Sequence, residues 1–230
     1  MNIVGLEAIK ALYIQHCGSD LMVVRAARVA SNKVSTNMGK DELKLIKDLV
    51  KVKHLSPFEM CDITFLYSVP LFIARQVQRH RTGSYNEWSA RYSEVKTEFY
   101  VPKTFNSRDS TLKLSEDEDT NLIGLMEYQC IKSFDGFEKL LENGVSKETA
   151  RLILPQNMMT QFYMKMNLRN WMHYCALRCD THAQYEHQVV AKSIFKQLVG
   201  MFPVSVGALA KFMFNEETLE SVGIKELEVR

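Results

Sequence analysis

Residues 61–69 read Cys61-Asp62-Ile63-Thr64-Phe65-Leu66-Tyr67-Ser68-Val69. Cys61, Ile63, Phe65, Tyr67 and Val69 share one side, while Asp62, Thr64 and Ser68 fall on the other. A two-residue period is that of a strand with one face buried. Residues 158–166 (MMTQFYMKM) alternate in the same way, and the first 14 residues also read as extended. Between the early strands, 19–31 and 41–53 are predicted helices, the second with Leu43, Ile46 and Val50 at helical spacing. Pro70 is predicted to open a helix reaching about His80. A longer helix is predicted over 117–142, where Ile123, Met126, Cys130, Phe134, Phe137 and Leu141 make one stripe behind the solvated acidic start SEDED. Asn167–Asp180 and Gln184–Leu198 read as two more, and Pro203 starts a last one. Strands early and late, separated by helices of unequal length, predict a mixed α/β domain with a mainly antiparallel sheet flanked by long helices, not a doubly wound sheet. The best linker candidate, 101–115, is short, so residues 1–230 are treated as a single domain.

The chain has 230 residues, 46% hydrophobic and 24% charged, with 10 Gly and 5 Pro. That composition excludes disorder and supports a real core. No window approaches the apolar length of a membrane span, and no leader is visible, so a soluble, cytoplasmic protein is expected. Five cysteines, an odd number, fit reduced thiols in such a compartment. The net charge of +2 argues against a polyanion-coating protein, and no nucleic-acid partner is expected. The charge is nevertheless sorted by residue type. Arg75, Arg79, Arg81, Arg91, Arg151, Arg169 and Arg178 lie in or beside the segments described next, whereas lysines populate helix surfaces.

Residues 75–92 carry four arginines against one Glu. Arg79-His80-Arg81 followed by Gly83 reads as a helix C-terminus, with cations at the negative dipole end. From Glu87 onward the period is two: Glu87, Ser89 and Arg91 on one side, Trp88, Ala90 and Tyr92 on the other. Such a segment buries its aromatic side and presents carboxylate, hydroxyl and guanidinium together. In His54-Leu55-Ser56-Pro57-Phe58-Glu59, Ser56 reads as an N-cap and Glu59 as the returning member of a capping box. That end of a helix could also receive an anion.

In the 167–180 helix, Asn167, Asn170, Tyr174 and Arg178 share one face at about 100° per residue, Arg169, His173 and Asp180 lie nearly opposite, and Leu168, Met172, Cys175 and Cys179 form the apolar side. Two polar faces suit sites shared between subunits. His173, Cys175, Cys179, His182 and His187 match no common zinc spacing, so no metal is expected. Neither GxGxxG nor GxxxxGK[ST] occurs, which excludes a Rossmann or Walker loop.

Arg79-His80-Arg81, Ser84, Asn86, Glu87, Ser89 and Arg91 resemble the RHRxxSxNExSxR signature of the flavin-dependent thymidylate synthases at every fixed position. His54-x-Ser-Pro-Phe-Glu59, Ala150-Arg151-x-x-Leu154-Pro155 and Asn167-x-Arg169 through Arg178-x-Asp180-x-His182-Ala183-Gln184 resemble the family too, in the same order. The resemblance implies a homotetramer that methylates dUMP to dTMP, with methylenetetrahydrofolate as carbon donor, NADPH as reductant and FAD as working cofactor. It assigns dUMP to Gln76, Arg79, Glu87, Ser89, Arg91, Arg151 and Arg178, with Arg178 and Ser89 in the chemical step. It assigns FAD to Ser56, Arg79, His80, Arg81, Glu87, Asn167, Arg169 and His173, with Ser31, His54 and Glu59 near it. Met60 stands where the family often has His, and His173 where Asn is common. The other class considered is a catalytically silent nucleotide- or RNA-binding module using the same arginines.

Overall fold

The structure is a computed structural model, described for residues 1–89, 98–105 and 115–224. Arg91 and most of the 101–115 segment therefore lie outside the described residues. The strands are β1 (Asn2–Val4), β2 (Lys10–Cys17), β3 (Asp62–Pro70), β4 (Ser84–Glu87), β5 (Glu98–Tyr100) and β6 (Met159–Asn167). The α-helices are α1 (Asp20–Arg28), α2 (Lys40–Lys51), α3 (Leu71–Val77), α4 (Glu116–Glu142), α5 (Lys147–Ala150), α6 (Leu168–Arg178), α7 (Tyr185–Met201), α8 (Pro203–Met213) and α9 (Glu216–Ser221). This is the expected mixed α/β class.

The larger sheet has the order β2-β3-β6-β4. Backbone bonds from Leu168 N to Cys61 O and from Leu71 N to Met158 O run β3 and β6 in opposite directions. The inward face of β3 follows the alternation in the sequence: Ile63, Phe65, Tyr67 and Val69 are fully buried. Burying side chains of this size stabilises the fold by about 1.5–3 kcal/mol each. The opening segment is extended, but not continuously. A 3-10 turn over Leu6–Ala8 separates β1 from β2. The helix after Pro70 stops at Val77, short of His80.

The described chain forms two compact units. The first comprises 1–9, 68–79 and 87–162. In it β1 pairs parallel with β5, and Phe134 and Phe137 of α4 pack with Phe99, Cys130, Ala150 and Met158. α4 starts at a true capping box, with Ser115 Oγ accepting from Glu118 N and Glu118 Oε2 accepting from Ser115 N.

The second comprises 10–67, 80–86 and 163–230, its described part ending at 224. Trp171 of α6 is fully buried against Phe65, and its Nε1 donates to Ile63 O at 3.0 Å. On α7, Gln197 accepts from Tyr13 N and donates to Ala11 O, bonding β2 as a further strand would. Both carboxylate oxygens of buried Asp20 accept from the first turn of α8, at Val204 N and Ser205 N. No local sequence pattern announces that cap. Among the described residues no helix is long and apolar enough to cross a membrane.

Candidate functional site

In the first unit a cleft of about 630 Å³ opens between α3, the 87–89 segment and the Arg151 turn, a size suited to a small-molecule ligand. Arg75, Glu87, Trp88, Ser89, Arg151 and Thr160 line it, with Leu71, Leu154 and Met158 supplying apolar surface. Glu87 is held at both oxygens: Gln78 Nε2 donates to Oε2 at 2.9 Å and Thr160 Oγ1 to Oε1 at 2.8 Å. Both donors are neutral, so the carboxylate is fixed without being neutralised. Arg151, which lines the cleft, donates from Nε to the carbonyl of Glu148 at 3.4 Å. Gln76, on α3, is half-buried.

Trp88 N bonds Gln161 O at 2.9 Å, extending the β4 pairing, and half-buried Trp88 is among the residues that line the cleft. β4 ends at Glu87, which releases the chain from strict pleating. Gln78, Thr160 and Arg75 were not among the expected site residues. Gln78 and Thr160 carry no charge, so neither the arginine pattern over 75–92 nor the strand alternation over 158–166 singles them out. Arg75, by contrast, was legible as part of the arginine cluster.

In the second unit Arg178 Nε donates to His80 Nε2 at 3.0 Å. His80 is 8% exposed. Burial first, then the charge of Arg178 and the proximity of His173, push its pKa down to about 4, so the imidazole is neutral and can accept. Gly83 does not end a helix by left-handed geometry, since its φ is not positive. A Cβ there would come within 3.1 Å of the side chains of Met164 and Met166, which would have to give by a few tenths of an ångström, so glycine eases the close approach to β6.

The capping box expected at Ser56 is absent. Ser56–Met60 is a 3-10 helix without a side-chain cap, and Glu59 instead forms an ion pair with Arg169. The box fails because a 3-10 turn does not return the Glu59 carboxylate to the Ser56 amide. His54, Ser56, Arg79, Arg81 and His173 are exposed, while Asn167 accepts from Asn170 N as the α6 N-cap. Ser31 Oγ donates to Arg28 O and lines a separate cleft of about 350 Å³ with Arg28, Lys33 and Lys44.

The helix with two polar faces is also revised. Leu168, Met172, Cys175 and Cys179 are buried as expected, but so is Tyr174, whose hydroxyl meets His187 Nε2 at 3.0 Å. Tyr174 belongs to the core, and the face with Asn170 and Arg178 is correspondingly narrower. Among the described residues no three His, Cys, Asp or Glu side chains converge as a metal site.

Fold and side chains together define a mixed α/β chain with a cleft that Arg75 and Arg151 line beside a carboxylate anchored by neutral donors. A family model described as thymidylate synthase complementing protein matches residues 13–204. A flavin-dependent thymidylate synthase of Wolbachia pipientis wMel is 36% identical over 220 residues, covering 92% of this chain and 77% of its own. One from Kosmotoga olearia is 36% identical, covering 97% and 99%. The crystal structure of the UMP/dUMP methylase PolB from Streptomyces cacaoi, bound with 5-Br dUMP, matches at a TM-score of 0.85 and 31% identity, covering 93% of this chain and 98% of that one. This chain belongs to the flavin-dependent thymidylate synthase family.

Proposed function

We propose that this chain catalyses reductive methylation of dUMP to dTMP, with methylenetetrahydrofolate as carbon donor and NADPH as reductant, as a cytoplasmic homotetramer. The observation that carries the reading is the arginine-lined cleft in which Gln78 and Thr160 fix Glu87. Arg79, Arg91 and Arg151 suit a phosphate by their forked donors, Glu87 and Gln76 suit the nucleoside, and Ser89 offers a hydroxyl at the cleft wall. Arg178, charged and fixed at Nε, would stabilise negative charge developing on the uracil ring and make the accepting ring carbon more nucleophilic.

The donor set also fits FAD. Arg79, Arg81 and His173 present exposed cationic or hydrogen-bonding groups, which match a diphosphate and a polar ring edge, and Arg169, paired with Glu59, belongs to the same proposed set. Ser56, His80, Asn167 and Glu87 complete the proposed set, with Ser31, His54 and Glu59 nearby. When bound, FAD supplies redox chemistry that no side chain can.

The test uses the purified full chain, its visible spectrum, and tritium release from ring-labelled dUMP with folate and reductant present. A yellow protein that releases tritium only with all components is expected. A colourless protein that takes up no FAD and releases no tritium overturns the reading. RNA binding with steep salt dependence and no flavin spectrum would identify the silent binding module instead.

A further inference from the structure

We infer that His80 is a positioning residue for Arg178, and that Tyr174 and His187 hold His80 in that role. The inference rests on the proposed part of Arg178 in dUMP activation. It begins with the 3.0 Å bond from Arg178 Nε to His80 Nε2, which requires that nitrogen to carry no proton. A neutral acceptor fixes the guanidinium while leaving its charge and its Nη groups for another partner. A carboxylate in the same place would fix it and cancel the charge.

His80 is itself constrained on two sides. Tyr85 Oη donates to its backbone carbonyl at 2.6 Å. The Tyr174 ring stands edge-on to the imidazole, centroids 4.8 Å apart at 67°. Tyr174 cannot turn freely, because it is fully buried and its hydroxyl meets Nε2 of His187, also fully buried, at 3.0 Å. Burial pushes His187 down to about 3, so it is neutral too. The result is a run of uncharged groups, His187, Tyr174 and His80, ending on one arginine.

The experiment compares His80→Phe, which fills the site without an acceptor, with His80→Gln, which restores one. Tritium release and FAD affinity are measured for both, alone and with Arg178→Ala. Losing the hydrogen bond to a charged group is expected to lower kcat about tenfold or more in His80→Phe, a larger factor than the loss of FAD affinity that the place of His80 in the proposed FAD set entails. His80→Gln recovers most of that loss, Tyr174→Phe and His187→Leu give smaller losses in the same direction, and His80→Phe adds nothing to Arg178→Ala. In the wild type, 15N NMR at pH 7 is expected to show an unprotonated Nε2 at His80.

Additive losses, an equal loss of FAD affinity, or a protonated Nε2 would each overturn the inference. Should the substituted chains fail to fold, the wild-type NMR result still decides it. A wild type that neither takes up FAD nor releases tritium removes the parent reading. An active wild type with an equally active His80→Phe removes only the positioning role.

Discussion

The Glu87 site and the Arg169 site solve opposite problems with similar parts. Among the described residues Glu87 is fixed by an amide and a hydroxyl, neither of which carries a charge opposed to its own. Arg169 is fixed by Glu59, so the two charges satisfy each other. Arg178, bonded to a neutral imidazole, follows the first pattern. The difference teaches that an arginine in a motif is not equivalent to another: the charge of its partner decides how much remains available for chemistry.

The strongest way to break this distinction is Arg178→Ala. Removing a preorganised stabiliser of developing charge typically costs about 10²–10³ in kcat. That loss is expected in tritium release, with a far smaller change in FAD affinity by titration. Equal losses of both would show that Arg178 serves binding generally. Thr160→Val comes next, because it removes one of the two anchors of Glu87 while keeping the side-chain shape. Losing a hydrogen bond to a charged group, about 1.5–3 kcal/mol, is expected to raise KM for dUMP about tenfold or more. An unchanged KM would mean that Gln78 alone suffices.

Acidification tests the neutral partners. His80 and His187 have folded pKa values of about 4 and about 3, below the ordinary 6.5. The unfolded chain therefore binds more protons in this range. Stability is full above about pH 6.5 and is lost progressively as pH falls through the folded values. Urea midpoints should drop between pH 7 and 4, and less steeply in His187→Leu. A pH-independent midpoint would refute neutral burial. The smallest effect is expected from Glu59→Gln: a partly exposed ion pair contributes about 0–1 kcal/mol, so the urea midpoint should scarcely move. A large loss would show that this pair is structural after all.

Much of this was readable in the chain, for identifiable reasons. The strand over 62–70 and the buried face of α4 followed from periodicity, because a single buried side imposes a repeat that local sequence must carry. Arg75, Glu87, Ser89 and Arg151 were legible as charged or hydroxyl groups in unusual clusters. The sequence was misleading where a local pattern had two physical solutions. Ser56 to Glu59 satisfies a capping-box pattern but winds as a 3-10 turn, and Tyr174 has the spacing of a polar face but the burial of a core residue.

By itself, the sequence determined the alternating strands, the amphipathic helices and the supply of arginines, since each is a property of neighbours within a few residues. Only the tertiary structure decided which charges stay available. Thr160 reaches Glu87 across 73 positions, His80 meets Arg178 across 98, and Glu59 meets Arg169 across 110. Contacts over such separations are set by strand register and helix packing: a one-residue slip turns a strand's side chains to the opposite face and swings a helix's by about 100°.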